Sequence, residues 1–282
     1  MEYQELAPPP PLDQLVHCFW FLRDPDGEAV GAPPQTVVPD GRVEIVLHLA
    51  EPFGLVDDAG VQRPQETALV GGQLTAPIRL AARGPGDVVG IRFRTEGARR
   101  VLPFALTEVT GEVSPLAALM PGLAASLTDA AASCKQPDAR ADALSRILAS
   151  AVRKDASPVL SRAISLLGAP RPPRLETLAR ELGVSMRTLE RKVRQEVGLS
   201  PRALRRVLRF RRAFRLLDGT PHGAWTRVAL AAGYFDQAHL IREFRRFAGA
   251  PPSAFFQSDP DLSRAFIGPH QPAERSVTSD EW

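Results

Sequence analysis

Two patterns of apolar and polar positions divide the chain. In the front part the apolar residues alternate or run in short blocks, and Gly, Pro and Asp turns punctuate them. Leu15–Leu22 (LVHCFWFL) is an apolar, aromatic run suited to a buried strand. Val43–Leu49 (VEIVLHL) alternates, with Val43, Ile45, Leu47 and Leu49 on one face and Glu44, Val46 and His48 on the other. Val88–Arg94 (VVGIRFR) alternates again and sets Arg92 and Arg94 opposite Ile91 and Phe93. Turn signals at Asp24–Gly27, Pro39–Gly41, Asp57–Gly60, Gly71–Gly72 and Gly84–Gly86 separate these runs. Short strands at such spacing predict an antiparallel β-barrel or sandwich of cupin-like kind, and Thr95–Leu119 shifts toward short helices.

Behind it the period changes to that of a helix. Ala124–Ser150 is Ala-rich and helical with an interruption at Pro137, and carries an apolar stripe of Leu144, Ile147, Leu148 and Ala151. The barrel or a second copy of the chain would cover that stripe. A helix follows at Val159–Leu167. Two related blocks come next, Leu175–Pro201 and Trp225–Pro252. In the first, Gly183 is followed by Leu189, Val193, Gly198 and Pro201; in the second, Gly233 is followed by Leu240, Phe244, Gly249 and Pro252. The second copy has one extra residue in its turn. Each reads as apolar helix, glycine turn, polar cap (Ser185, Asp236) and second helix, which is a helix-turn-helix. Between them, Pro201–Leu217 is one arginine-studded helix with Ala203, Val207, Phe210, Phe214 and Leu217 on its apolar side.

The predicted class is therefore α+β. Residues 1–120 form a β-rich domain, 121–156 a helical connector, 157–257 an all-α domain with two helix-turn-helix units, and 258–282 a polar, Pro-containing, loosely ordered tail.

Charge sharpens this division. From Arg171 to Gln257 there are 18 Lys+Arg against 7 Asp+Glu, a net of +11, so the rest of the chain carries −8 and the overall +3 conceals the asymmetry. A module this basic is drawn to phosphate. On the second helix of the first unit, burying Leu189, Val193 and Val197 leaves Arg187, Glu190, Arg191 and Arg194 outside. On that of the second, burying Leu240, Phe244 and Phe247 leaves Gln237, Ile241, Arg242 and Arg245 outside, with His239 more lateral. Arg and Gln read guanine and adenine edges by paired hydrogen bonds, and a helix fits the major groove. A solvated charged face is the alternative for either helix alone; two copies with matched turns weigh against it.

These stretches resemble the AraC/XylS family of bacterial transcription regulators over about 157–256. The GVS turn, the L-x-R-x-V core of the first reading helix, the following GLSP, the connecting RRVLRFRRAFRLL and GYFDQAHLIREFRRFAG-x-PP carry the resemblance. It implies base-reading positions at Arg187, Glu190 and Arg191 in the first unit, and at Gln237, Ala238, Ile241 and Arg242 in the second. Leu240 stands where the family usually has Phe, and His239 where it often has Tyr. Ala238 and Ile241 cannot hydrogen-bond a base, so a thymine methyl is their expected contact. The front-domain stretch VVPDGRVEIVLHL, with the later GGQ and GIRF, looks like a less-characterised sensor domain of some AraC-type regulators.

Candidate chemistry in the front domain is sparse. Glu44 and His48 share a strand face and, with Arg92, are the candidate lining of an effector site at the barrel mouth. Arg92 could instead form a salt bridge on the barrel exterior. The closely spaced His-x-His of metal-binding cupins is missing, so no metal and no cofactor are expected. Trp20 and Phe19 fit core positions better than ligand-stacking surfaces. Cys18 and Cys134 lack the proline-cysteine context and four-cysteine zinc site of AraC-type fusions to DNA repair methyltransferases, and no G-x-S-x-G, P-loop or H-E-x-x-H occurs. These absences disfavour a front-domain enzyme, and the paired turns disfavour a non-specific architectural DNA binder. With no apolar run of membrane-spanning length and no signal-peptide pattern at MEYQELAPPPP, the expected location is the cytoplasm. Expected partners are double-stranded promoter DNA, a small-molecule effector, RNA polymerase and a second copy of the chain.

Overall fold

A computed structural model describes residues 1–153, 157–218, 220, 224–258 and 261–267. The front domain is a sandwich of two antiparallel sheets rather than a closed barrel. Strands β1 (Glu2–Leu6), β2 (Val16–Asp24), β4 (Glu44–His48), β7 (Ala68–Gly71), β9 (Gly86–Phe93) and β10 (Val113–Pro115) form the larger sheet in the order β1-β2-β9-β4-β7-β10. Strands β3 (Gln35–Val37), β5 (Gly54–Val56), β6 (Gln62–Pro64) and β8 (Ile78–Ala81) form the smaller, ordered β3-β8-β5-β6.

The alternation along β4 and β9 sorts their side chains as expected. Ile45, Leu47, Val89, Ile91 and Phe93 enter a core shared with three helices, α1 (Leu116–Leu119), α2 (Pro121–Ser133) and α3 (Pro137–Ala151). The expected interruption is a break between two helices: α2 ends at Ser133, and Pro137 begins α3, where its missing N–H costs nothing. The Leu144 and Leu148 stripe, fully buried, belongs to this core, so the front sheet covers it and no second copy is required. Arg140 of α3 pins the helices to the sheet through two hydrogen bonds to the Asp87 carboxylate, at 2.6 and 2.8 Å.

The opposite face of the larger sheet looks across to the smaller one. Cys18, Trp20, Leu22, Val37 and Val88 pack there. Trp20 and Gly90 are opposite one another in the β2–β9 pairing, and a Cβ on Gly90 would lie 1.8 Å from the indole. Only glycine lets the Trp20 ring lie flat across β9 at this point.

The helical domain begins with α4 (Pro158–Leu167). The first unit is α5 (Leu175–Glu181) and α6 (Met186–Val197), the connecting helix is α7 (Pro201–Leu217), and the second unit is α8 (Trp225–Ala232) and α9 (Gln237–Ala248), followed by α10 (Pro252–Gln257). One core joins them, with Leu189, Val193, Phe210, Phe214, Phe244 and Phe255 among its buried members. The apolar side of α7 is wider than expected: Leu204, Leu208 and Ala213 are buried with Val207, Phe210, Phe214 and Leu217, whereas Ala203 is only partly covered.

The stretch expected to be a loose tail contains a further helix, α11 (Asp261–Ile267), within the described residues. Ser263 is fully buried and donates to the Thr36 carbonyl, and Arg215 Nε donates to the Ile267 carbonyl at 2.6 Å. Apolar residues in the 261–267 stretch (DLSRAFI), among them the fully buried Ile267, account for the difference; 268–282 lie outside the described residues.

The two domains touch along a substantial boundary. Val38 of the front domain enters the helical core. Thr110 donates to the carbonyl of Gly198, which ends α6 at φ 91°, at 2.9 Å. Arg211 of α7 donates from Nη1 to the Asp40 carbonyl at 3.0 Å.

Candidate nucleic-acid interface and effector cavity

The recognition helices are built as the sequence predicts. Gly183 and Gly233 both adopt positive φ, 66° and 88°, a conformation that side-chain-bearing residues rarely enter. Ser185 Oγ accepts from the Thr188 N–H at 3.1 Å, and Asp236 Oδ1 from the His239 N–H at 2.6 Å, so each predicted cap satisfies an orphan donor of its helix.

On α6, Arg187, Glu190, Arg191 and Arg194 are all exposed, while Leu189, Val193 and Val197 are buried. On α9, Ala238, Arg242 and Arg245 are exposed. Gln237 is half-buried, its Oε1 accepting from Thr226 at 3.0 Å. His239 sits edge-on to Tyr234, with ring centroids 5.1 Å apart. Ile241 is half-buried and packs against the helical core along one side. The free polar surface of α9 is accordingly narrower than that of α6.

One residue of this surface escaped the sequence reading. Phe235 immediately precedes the α9 cap and is 85% exposed. Its signal was an aromatic inside a helix-turn-helix turn, where packing has no use for one.

The arginines of α7 are in part structural pins. Arg206 Nε and Arg209 Nη2 each donate to the Glu243 carboxylate of α9 at 2.6 Å. Burial opposes the charge of Glu243, but the hydrogen bonds from Arg209 and Arg206 outweigh it and hold the carboxyl below its ordinary pKa. Arg209 also stacks over the Tyr234 ring at 4.4 Å. Arg212 donates to the carbonyls of Gly168 and Ala232. Arg202 is exposed, and with Arg174 and Arg205 it lines a shallow basic groove between α5 and α7.

In the front domain a cavity of about 90 Å³ lies between the sheets. Its walls are apolar, with Trp20, Phe53, Leu74, Ile78 and Leu80 prominent, and its polar groups are Asp40, Arg42, Glu44, His48 and Gln65. Glu44 and His48 thus line it. Arg92 does not: it is completely buried behind Glu44, to which its Nε donates, and its Nη1 lies 3.5 Å from Glu5. The exterior alternative for Arg92 fails as well. Burial disfavours the Arg92 charge, but Glu44 together with smaller contributions from Tyr3, Cys18 and Asp40 raises its pKa above the ordinary value. Burial pushes the Glu44 carboxyl up, against the pull of Arg92. Trp20 Nε1 also donates to Glu44, at 3.2 Å, whereas Phe19 belongs to the helix-side core. His48 Nδ1 faces the Glu66 carbonyl at 2.9 Å, and burial lowers its pKa. Asp40 belongs to the Pro39–Gly41 turn, and Arg42 follows it in the irregular segment that leads into β4.

Comparison with known proteins places these features. Residues 178–258 match the family described as a helix-turn-helix domain, and residues 4–115 match a domain of unknown function, DUF6597. No curated protein matches the chain. Among solved structures, an AraC-type DNA-binding-domain regulator from Chromobacterium violaceum is 30% identical, with 37% of this chain and 95% of that chain covered and a TM-score of 0.33. The DNA-binding domain of AdpA, solved in complex with a target DNA, is 29% identical over 38% of this chain and 91% of that one, with a TM-score of 0.31. ToxT from Vibrio cholerae is 12% identical over 85% of this chain and 98% of that chain, with a TM-score of 0.47. Given the helix-turn-helix match and 30% identity across nearly the whole of an AraC-type relative, the chain belongs to the AraC family of helix-turn-helix transcription regulators.

Proposed function

We propose that this protein binds promoter DNA sequence-specifically through α6 and α9 and that a small molecule in the sandwich cavity governs that binding. The observation that carries the DNA reading is the pair of capped helices, each buried on one face and presenting arginine on the other, within a module of net charge +11. Arg187, Arg191 and Arg194 of α6 and Arg242 and Arg245 of α9 supply the polar reading surface, with Glu190 and Gln237 as further contacts. Ala238 offers a methyl-sized apolar contact, and His239 and Ile241 border the helix rather than lead it. Each good bidentate pair gives about 1–3 kcal/mol of discrimination against the wrong base.

The effector reading rests on the cavity. It is apolar-walled, with a few polar groups among the lining, the usual construction of a small-molecule site. Glu44 and His48 lie on its wall, and Arg92 acts behind Glu44 rather than as a lining residue.

Selection of bound duplexes from a random pool by the full chain tests the DNA reading. Recovery of a motif with two elements about one helical turn apart supports it; a recovered pool with no enriched sequence refutes it.

A further inference from the structure

The cavity has an end at Arg42 where a buried guanidinium donor is left without a hydrogen bond. Arg42 is only 9% exposed and lines the cavity. Its backbone N–H donates to Asp40 Oδ1 at 3.0 Å, but its Nη1 stands 3.9 Å from Asp40 Oδ2 and has no hydrogen-bond partner among the described residues. Asp40 Oδ2 is likewise unpartnered there. From the other domain, Arg211 donates to the Asp40 main-chain carbonyl, so it too approaches this loop without neutralising it.

The charges around Arg42 are unequal. Asp40 is the carboxylate facing it, while the guanidiniums of Arg92 and Arg215 repel it. Burial, then the like charge of Arg42, pushes the Arg211 guanidinium down to about 10, with Arg215 and Arg212 adding to the effect and Asp40 resisting it. Glu44 shares the cavity wall with Arg42, but its oxygens already accept from Arg92 and Trp20. A buried guanidinium with an unused donor is costly, and a carboxylate is the group whose geometry suits it best. The remainder of the cavity is walled by apolar side chains and suits a compact apolar body.

We infer that the effector is a small organic acid whose carboxylate pairs with Arg42 beside Asp40 and whose compact apolar body lies among Trp20, Phe53, Leu74, Ile78 and Leu80. This rests on the reading of the cavity as an effector site and adds the chemical class of the effector.

The test is titration calorimetry and thermal unfolding of the full chain with benzoate, phenylacetate and 3-methylbutanoate, each beside its primary amide. The expected result is that at least one acid binds and raises the unfolding midpoint, with its amide at least about tenfold weaker. Arg42→Met should fold with a lower midpoint when no ligand is added, because it leaves the largely buried Asp40 carboxylate without the cation that faces it. It should lose at least about tenfold of the affinity for the acid while leaving any weak amide binding in place. Equal binding of acid and amide, or full acid affinity in Arg42→Met, overturns the anionic effector and leaves the effector cavity standing. Binding of neither acids nor amides overturns both. Should Arg42→Met fail to fold, the acid-over-amide preference of the natural protein and its loss in the cavity-filling Val46→Phe decide the matter.

Discussion

Truncating Phe210 to alanine should separate the two helix-turn-helix units without dissolving either. Phe210 is fully buried at the middle of α7, and its ring centroid lies 5.3 Å from Phe244, 5.1 Å from Phe247 and 6.2 Å from Phe214. Two of those partners are on α9, so the ring is a principal tie between the connecting helix and the second reading helix. Removing a buried Phe side chain costs about 3–5 kcal/mol, and loss of favourable ring pairs places this site toward the upper end. Alanine keeps the helix propensity of α7, so the cost falls on the interface rather than on the rod. Against a whole-domain stability of about 5–15 kcal/mol the module stays folded, while α9 is freed from its fixed position. The first unit keeps its own anchor, the Thr110 bond to Gly198. As a rod of 17 residues at about 1.5 Å each, α7 spans roughly 25 Å, a length that can hold two reading helices near successive major-groove faces about 34 Å apart. Hydroxyl-radical footprinting on a selected site should show protection shrinking from two adjacent turns to about one, with affinity falling by about 10²-fold or more as the linked second contact is lost. A Phe210→Ala protein that keeps the full two-turn footprint and near-normal affinity would refute the idea that α7 acts as a ruler.

Three further outcomes are expected. Arg191→Ala and Arg242→Ala should each cost about 1–3 kcal/mol on a selected site and relax base preference there, measured by competition binding; equal losses on random DNA would make them phosphate contacts. Glu243→Gln should destabilise the helical domain in a pH-dependent way. The folded carboxyl has a depressed pKa, so its contribution is fully present above the unfolded value of about 4.3 and fades as pH falls through the lower folded value. Unfolding midpoints of the two proteins should therefore converge in acid, and a gap that stays constant with pH would contradict this. Arg211→Met removes the bond from α7 to the Asp40 carbonyl, and any effect of a cavity ligand on DNA affinity should weaken with it; an undiminished effect in a binding titration would show that the signal takes another route.

Periodicity made the two reading units legible before any coordinates. Leu189, Val193 and Val197 are spaced to face inward, which leaves Arg187, Arg191 and Arg194 outside, and Ser185 and Asp236 are cap residues by chemistry as well as by place. Ile241 is half-buried against the helical core, a breadth of contact that a helix wheel does not show. The roles of Arg206, Arg209 and Arg212 were hidden for a related reason: their partners Glu243, Gly168 and Ala232 are distant in sequence, and only the packing of α7 brings them within reach. In the front domain, alternation assigned the faces of β4 and β9 correctly but could not say what lay across from them. Arg92 was therefore read as a lining residue, although Glu44 stands between it and the cavity, and Arg42 was passed over because it lies in a loop that only tertiary contact turns into a wall.

The central claim is sequence-specific recognition, and the ratio of affinities for a selected site and a scrambled duplex of the same composition measures it most directly. With the full chain at about 0.15 M salt, the ratio should reach about 10³ or more, and the selected-site complex should protect two patches about one helical turn apart. Near-equal affinity for the two duplexes, weakening together as salt is raised, would mean that the basic module reads phosphate alone.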